Sequence, residues 1–308
     1  MKIFNRFLAR NGLKACLFLS GFLPYALLHF FIRTLVMIFY YSNSRLARNA
    51  RESVDIAYGH EKTERHREDL VRQSFLNLAR VMAEDIYYVR NSRLISSMAE
   101  INGEEHLKQA LSKGKGVIAT TAHLGNFALM IAWLAGYGCK VNVIMRPPRD
   151  SKMGDFIKQT VGKMGTHVIF TLPVRQCLSE SIKALRNNEI LFILLDQNYG
   201  ADARIFVDFF GTKAATGGSP LTLASRTGAS ILPVFCLRGK DNRYQIEVEP
   251  EQILPYEPGN EESLRKSLQQ LTSIIEAHIR RDPPLWSWMH KRWKSKNSRE
   301  SEDILERK

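Results

Sequence analysis

GVIATTAHLGNFALM, residues 116–130, decides the fold of this chain. Val117–Thr121 is a short, partly β-branched run of the kind that forms a buried strand. Ala122-His123-Leu124-Gly125-Asn126 follows as a turn, and an apolar helical run begins at Phe127. Upstream, residues 104–113 read as a helix stopped by Gly114 and Gly116. Downstream, strand candidates at 141–145, 168–170, 190–195 and 231–237 alternate with helical stretches at 174–186 and 220–226. Such alternation predicts an α/β fold with a central, mostly parallel mixed sheet flanked by helices. Residues 244–248, YQIEV, alternate polar and apolar side chains like an edge strand, and an amphipathic helix follows at 261–280. Before the sheet, Leu70, Phe75, Leu78, Val81, Met82 and Ile86 recur at steps of three and four, the period of a packing helix over 66–93.

Composition bounds the function. The 308 residues carry 44 Lys and Arg against 31 Asp and Glu, a net charge of +13, with 44% hydrophobic residues. That balance excludes a disordered, collagen-like or polytopic membrane chain and favours acidic partners. Four scattered cysteines without C-x-x-C or zinc spacing indicate neither a disulfide framework nor a structural metal, and suit a reducing compartment. The N-terminal stretches ACLFLSGFLPYALL (15–28) and TLVMIFYY (34–41) are apolar but interrupted by Pro24, His29 and Arg33, so no unbroken span of about 20 residues exists. Lys2, Arg6, Arg10 and Lys14 before them and Arg45, Arg48 and Arg51 after them carry the positive charge of cytoplasmic flanks. Residues 1–45 are therefore expected to form a retained helical membrane anchor, either spanning or re-entering at Pro24. Residues 46–297 form the main domain and 298–308 a polar tail. In PPLWSWMHKRWKSK (283–296), three tryptophans among cations suit a membrane interface, and argue for lipid over nucleic acid.

His123 falls where a buried strand ends, the rim on which open α/β sheets bind ligands, and an imidazole there can accept a proton. Gly125 permits close backbone approach, and Asn126 is a helix N-cap. Asp196 ends the 190–195 strand and is expected on the same rim. Arg146, after the 141–145 strand, is expected there too, where a guanidinium stabilises an oxyanion or holds phosphate. Arg149 beside it adds positive potential. Asp208 is a second acidic candidate, flanked by Phe206, Phe209 and Phe210, which pack or line a channel.

Several ordered blocks together resemble the bacterial lipid A late acyltransferases, the lauroyl and myristoyl enzymes whose family includes phosphatidylinositol mannoside acyltransferases. They are NGEEHLKQALSKGKGVI (102–118), AHLGNF (122–127), IMRP (144–147), LDQNYG (195–200), FVDFFGTKAAT (206–216) and WMHKRWK (288–294). The resemblance covers nearly the whole chain. It implies a membrane-associated α/β acyltransferase on the cytoplasmic face of the inner membrane. Such an enzyme moves a fatty acyl chain from an acyl carrier protein or coenzyme A thioester to a lipid hydroxyl, with membrane phospholipid as neighbour, a lipid A precursor or related lipid as acceptor and no bound cofactor. It casts His123 as base, Arg146 as oxyanion or phosphate partner, and Lys213 and Thr216 as headgroup contacts. One position departs from the pattern: the family motif is H-x-x-x-x-D/E, and here Ala128 stands at the acid. Three readings stay open. A carboxylate from another element substitutes, with Asp196 favoured; water or a backbone carbonyl orients the ring; or the chain is a weak or inactive lipid-binding relative.

Overall fold

A computed structural model describes residues 11–12, 17–18, 21–199, 205–239, 241 and 243–295. Three helices lead into the sheet: α1 (Tyr25–Tyr41), α2 (Arg45–Tyr58) and α3 (Glu64–Arg90). The alternating part runs β1 (Ala99–Asn102), α4 (Glu104–Ser112), β2 (Val117–Thr121), α5 (Phe127–Gly136), β3 (Val141–Met145), α6 (Ser151–Gly162), β4 (Thr166–Phe170), α7 (Val174–Arg186) and β5 (Ile190–Leu194). It is completed by a hairpin, β6 (Phe206–Phe209) and β7 (Thr212–Ala215), then α8 (Ser219–Thr227), β8 (Ser230–Arg238), β9 (Tyr244–Val248) and α9 (Glu261–Arg281).

The seven-stranded sheet has the order β1-β9-β8-β2-β5-β3-β4. From β8 to β4 every pairing is parallel, whereas β9 runs antiparallel to β8 and parallel to β1. The expected α/β architecture with a mostly parallel sheet is therefore present. Strands β2 and β5 are buried on both faces, as helix-covered parallel strands must be. Ile118, Leu191 and Ile193 enter one core with α2, α3 and α9, while Val117, Ala119, Ile190 and Phe192 enter a second core with α4 and α5.

Two expectations need correction, and one helix had not been anticipated. YQIEV is not at the edge: β1 hydrogen-bonds outside it, and its alternation arises because Tyr244, Ile246 and Val248 are buried while Gln245 and Glu247 pair with Asn102 and Arg281. Helix α6, capped by Asp150 accepting from the Lys152 amide at 3.1 Å, had no sequence signal strong enough to be read. The tryptophan-rich tail is core rather than membrane interface, with Trp286 and Trp288 at 1% and 0% exposure. Each indole N–H finds an acceptor: Trp286 on Asp196, Trp288 on the Pro283 carbonyl at 2.7 Å, and Trp293 on the Phe209 carbonyl at 3.3 Å. Arg292, also fully buried, donates to the carbonyls of Gln197 and Ala215 and to Thr216 Oγ1.

Among the described residues, no single helix is long and apolar enough to cross a membrane; α1 and α2 meet that test only as a pair bent by 72°. The 17 residues of α1 are about 25 Å long, shorter than a hydrocarbon core of about 30 Å. Helix α1 lies along α3, burying Leu28, Val36 and Tyr40, and leaves Phe30, Phe31, Leu35, Ile38 and Phe39 exposed. Its expected basic flank at Lys2, Arg6, Arg10 and Lys14 and the 298–308 tail lie outside the described residues.

Candidate active site

Parallel register brings the two central side chains together. Thr121 stands opposite Leu194, the last residues of β2 and β5. His123 and Asp196 each come two residues later, so both chains deliver a side chain at the same height on the same rim. The Asp196 carboxylate, 3% exposed, accepts three hydrogen bonds. Its Oδ1 takes His123 Nδ1 at 2.9 Å, and its Oδ2 takes the His123 amide and Trp286 Nε1, both at 2.8 Å. With Nδ1 donating, the His123 Nε2 lone pair points away from the acid, and the Gln197 amide nitrogen lies 3.1 Å from it.

The electrostatics follow from this geometry. Burial alone drives Asp196 toward neutrality, but the charge and hydrogen bond of His123, with the two further donors, hold it down to about 2. For His123, burial opposes the imidazolium, and the Asp196 charge and hydrogen bond outweigh it, so the ring titrates above its ordinary 6.5. Asp196 stays ionised, and the imidazolium of His123 persists to higher pH than a free imidazole's.

The loop around His123 is clamped by residues 285–287. Its carbonyl accepts from the Ser287 amide at 3.1 Å, the Gly125 amide donates to the Leu285 carbonyl at 3.0 Å, and Leu124 bridges Trp286. Gly125 has φ +58°, and a Cβ there would lie 1.9 Å from the Cys236 carbonyl. Its close approach is thus to β8 rather than to a substrate. Asn126 caps α5, accepting from the Leu129 amide at 2.9 Å, and its Nδ2 donates to Glu84 at 3.0 Å. Buried Glu84 is in turn bonded by Arg238 and the Tyr244 hydroxyl.

His123 opens onto a cavity of about 680 Å³. Its walls are mostly apolar, with Phe127, Ile131, Val143, Ile157, Val161 and Met164 among them, while Arg146, Gln197, Asn198 and Ser219 bring polar groups to it. Arg146 is exposed at the end of β3. His123, Asp196 and Arg146 are thus brought to one rim. The other candidates sit elsewhere. Gly125, Asn126 and Arg149 do not line the cavity. Asp208 and Lys213 pair with each other at 3.0 Å across the β6–β7 hairpin, and Thr216 is buried with its hydroxyl bonded by Arg292. These three side chains are occupied in holding the hairpin and the C-terminal segment.

Sequence reasoning missed Trp286, Gln197 and the Glu84–Asp85 pair. No local signal links an indole to an acid 90 positions away. An acid pair inside the apolar stripe of α3, between Val81 and Tyr88, was such a signal.

A family model described as bacterial lipid A biosynthesis acyltransferase matches residues 10–295. The chain is 24% identical over 256 residues to the lipid A biosynthesis palmitoleoyltransferase of Escherichia coli (strain K12), covering 82% of this chain and 80% of that protein. It is 23% identical to the lauroyltransferase of the same organism, covering 77% and 75%. A phosphatidylinositol mannoside acyltransferase of Mycolicibacterium smegmatis is 25% identical, covering 73% of each chain.

Proposed function

Since the chain belongs to the bacterial lipid A biosynthesis acyltransferase family and is an acyltransferase, we propose that it moves a fatty acyl group from an acyl carrier protein or coenzyme A thioester to a lipid hydroxyl, with His123 as base. The observation that carries this is the His123–Asp196 pair opening on a mostly apolar cavity. A hydroxyl placed where the Gln197 amide now meets Nε2 gives its proton to His123, and its oxygen attacks the thioester carbonyl. The tetrahedral adduct collapses with loss of the C–S bond, and the leaving thiolate takes the proton back from the imidazolium, giving ester and thiol. Asp196 fixes the tautomer and stabilises the imidazolium, supplying from β5 the carboxylate that position 128 lacks. Arg146 is poised to meet negative charge, either the oxyanion or a headgroup phosphate. The reaction needs no metal or organic cofactor.

Membrane association on the cytoplasmic face of the inner membrane belongs to the same proposal. Phe30, Phe31, Leu35, Ile38 and Phe39 form an apolar face on α1 that the rest of the chain leaves uncovered. Because α1 is fastened to α3 by its opposite face, it suits a helix lying in the interface plane. Basic side chains add attraction for anionic headgroups, about 1 kcal/mol each near the surface.

The test is acyl transfer in detergent micelles from acyl carrier protein and coenzyme A thioesters to a lipid A precursor, a lysophospholipid and a phosphatidylinositol mannoside. Native protein should transfer to one acceptor, and His123→Ala should lower kcat about 10²–10⁴-fold. Ala128 supports a second reading, a lipid binder without turnover. That reading requires native protein to bind acyl chains yet stay inactive, and Ala128→Glu to gain activity.

A further inference from the structure

Asp85 plays no part in the chemistry above, yet it lines the same cavity as His123 and Ala128. It stands on α3 one turn before Tyr88 and Val89, which line the cavity with it. The Asn126 side-chain amide, whose Nδ2 donates to Glu84, also favours the ionised form of the Asp85 carboxyl group. A carboxylate offers about four acceptor sites, and this one neighbour does not fill them. Nor is Asp85 needed to hold Asn126, whose amide already donates to Glu84 and whose oxygen already caps α5. A carboxyl group in an apolar wall is costly unless something polar meets it, so its presence here calls for a polar group on the occupant.

Two further observations narrow that group. Asn126, which acts on Asp85, is three residues from His123 and caps α5, and Asp85 and His123 line one cavity, so the acyl-transfer reading puts the reacting carbonyl on the side of the cavity to which Asp85 belongs. Burial raises Asp85 to about 7, with Glu84 adding to the rise and Asn126 opposing it. Near neutrality the group therefore presents both a donor and acceptors, which matches a neutral hydroxyl better than a charged group needing full desolvation.

We propose that Asp85 is a specificity residue that selects a donor acyl chain bearing a hydroxyl within a few bonds of the thioester carbonyl. The inference rests on the acyl-transfer reading. It departs from the relatives, whose names specify palmitoleoyl and lauroyl groups.

The experiment uses the full chain in detergent micelles, with 3-hydroxymyristoyl and myristoyl thioesters of acyl carrier protein offered in competition. Native protein should favour the hydroxylated donor about 10- to 100-fold in kcat/KM, the scale of one buried hydrogen bond to an ionisable group. Asp85→Asn, which keeps a donor and an acceptor, should retain most of that ratio, and Asp85→Leu should bring it to one or below. Displacement of a fluorescent fatty acid by 3-hydroxymyristate and by myristate should follow the same ranking, and it reads the preference even without turnover. Equal use of the two chains by native protein, or a hydroxyl preference that survives in Asp85→Leu, overturns the role of Asp85 and leaves acyl transfer standing. If neither thioester is consumed and neither acid displaces the probe, acyl transfer itself fails, and the inference with it.

Discussion

At the scale of single residues, the site depends on how Asp196 divides its hydrogen bonds. Asp196→Asn leaves the shape intact but removes the charge that fixes the His123 tautomer, so kcat should fall about 10³–10⁴-fold while thermal melting moves little by comparison. The pH profile gives a sharper check. His123 acts as a base only when neutral, so kcat/KM should rise with pH through a midpoint above 6.5. In Asp196→Asn the raising influences vanish and burial alone remains, so the midpoint of any residual activity should shift to lower pH. The same pair ties stability to acidity. Asp196 is depressed from 3.8 to about 2, so its contribution is full above about 4 and drains away as pH falls toward 2. Gln197 competes with the acceptor for Nε2; Gln197→Ala should lower the acceptor KM about 2- to 10-fold, the worth of one hydrogen bond, in steady-state kinetics. His123 and Asp196 were legible because each ends a recognisable strand. Trp286 was not, because an indole beside cations reads equally as a membrane anchor until its acceptor is seen.

At the scale of elements, strands were read more surely than their neighbours. Val117–Thr121, Val141–Met145 and Tyr244–Val248 stand where their β-branched or alternating patterns put them. Strand β1 is invisible in the sequence because four residues of mixed polarity carry no period, and without it YQIEV reads as an edge strand. The turn after β2 makes its own prediction. Gly125→Ala forces a Cβ against the Cys236 carbonyl at a left-handed φ. It should destabilise the chain by about 2–4 kcal/mol in denaturant titration. Helix α1 makes another: replacing Phe30, Phe31 and Leu35 together with serine should reduce co-sedimentation with anionic vesicles at least tenfold, since each exposed apolar side chain contributes on the order of 1–2 kcal/mol of burial. Because these side chains lie on the face of α1 turned away from α3, the circular dichroism spectrum should not change.

At the scale of the whole molecule, the chain closes on itself at the active site. The segment 283–295 returns from α9 to lie over the rim, and Arg292 ties it to the loop after β5 through the Gln197 carbonyl and to the β6–β7 hairpin through Ala215 and Thr216. Burial lowers Arg292 to about 10, with the Asp196 charge opposing the fall, so it stays charged at neutral pH. Arg292→Met should cost about 3–5 kcal/mol, because it strands buried acceptors, and should loosen the hold on Gln197; urea melts and protease sensitivity of residues 283–295 check both. The alternation of strands and helices predicted the architecture of the sheet, but not that residues 285–289 would become part of its core.

That closure sets an order in time as well as in space. During synthesis the sheet strands, His123 and Asp196 all emerge before Trp286 and Ser287, which supply the last donor to the acid and the clamp on the histidine loop. A ribosome-bound or prematurely terminated chain that lacks residues 283–295 therefore carries the base and its acid without the finished pocket, and the enzyme becomes competent only once that segment has been made and has folded back over the rim.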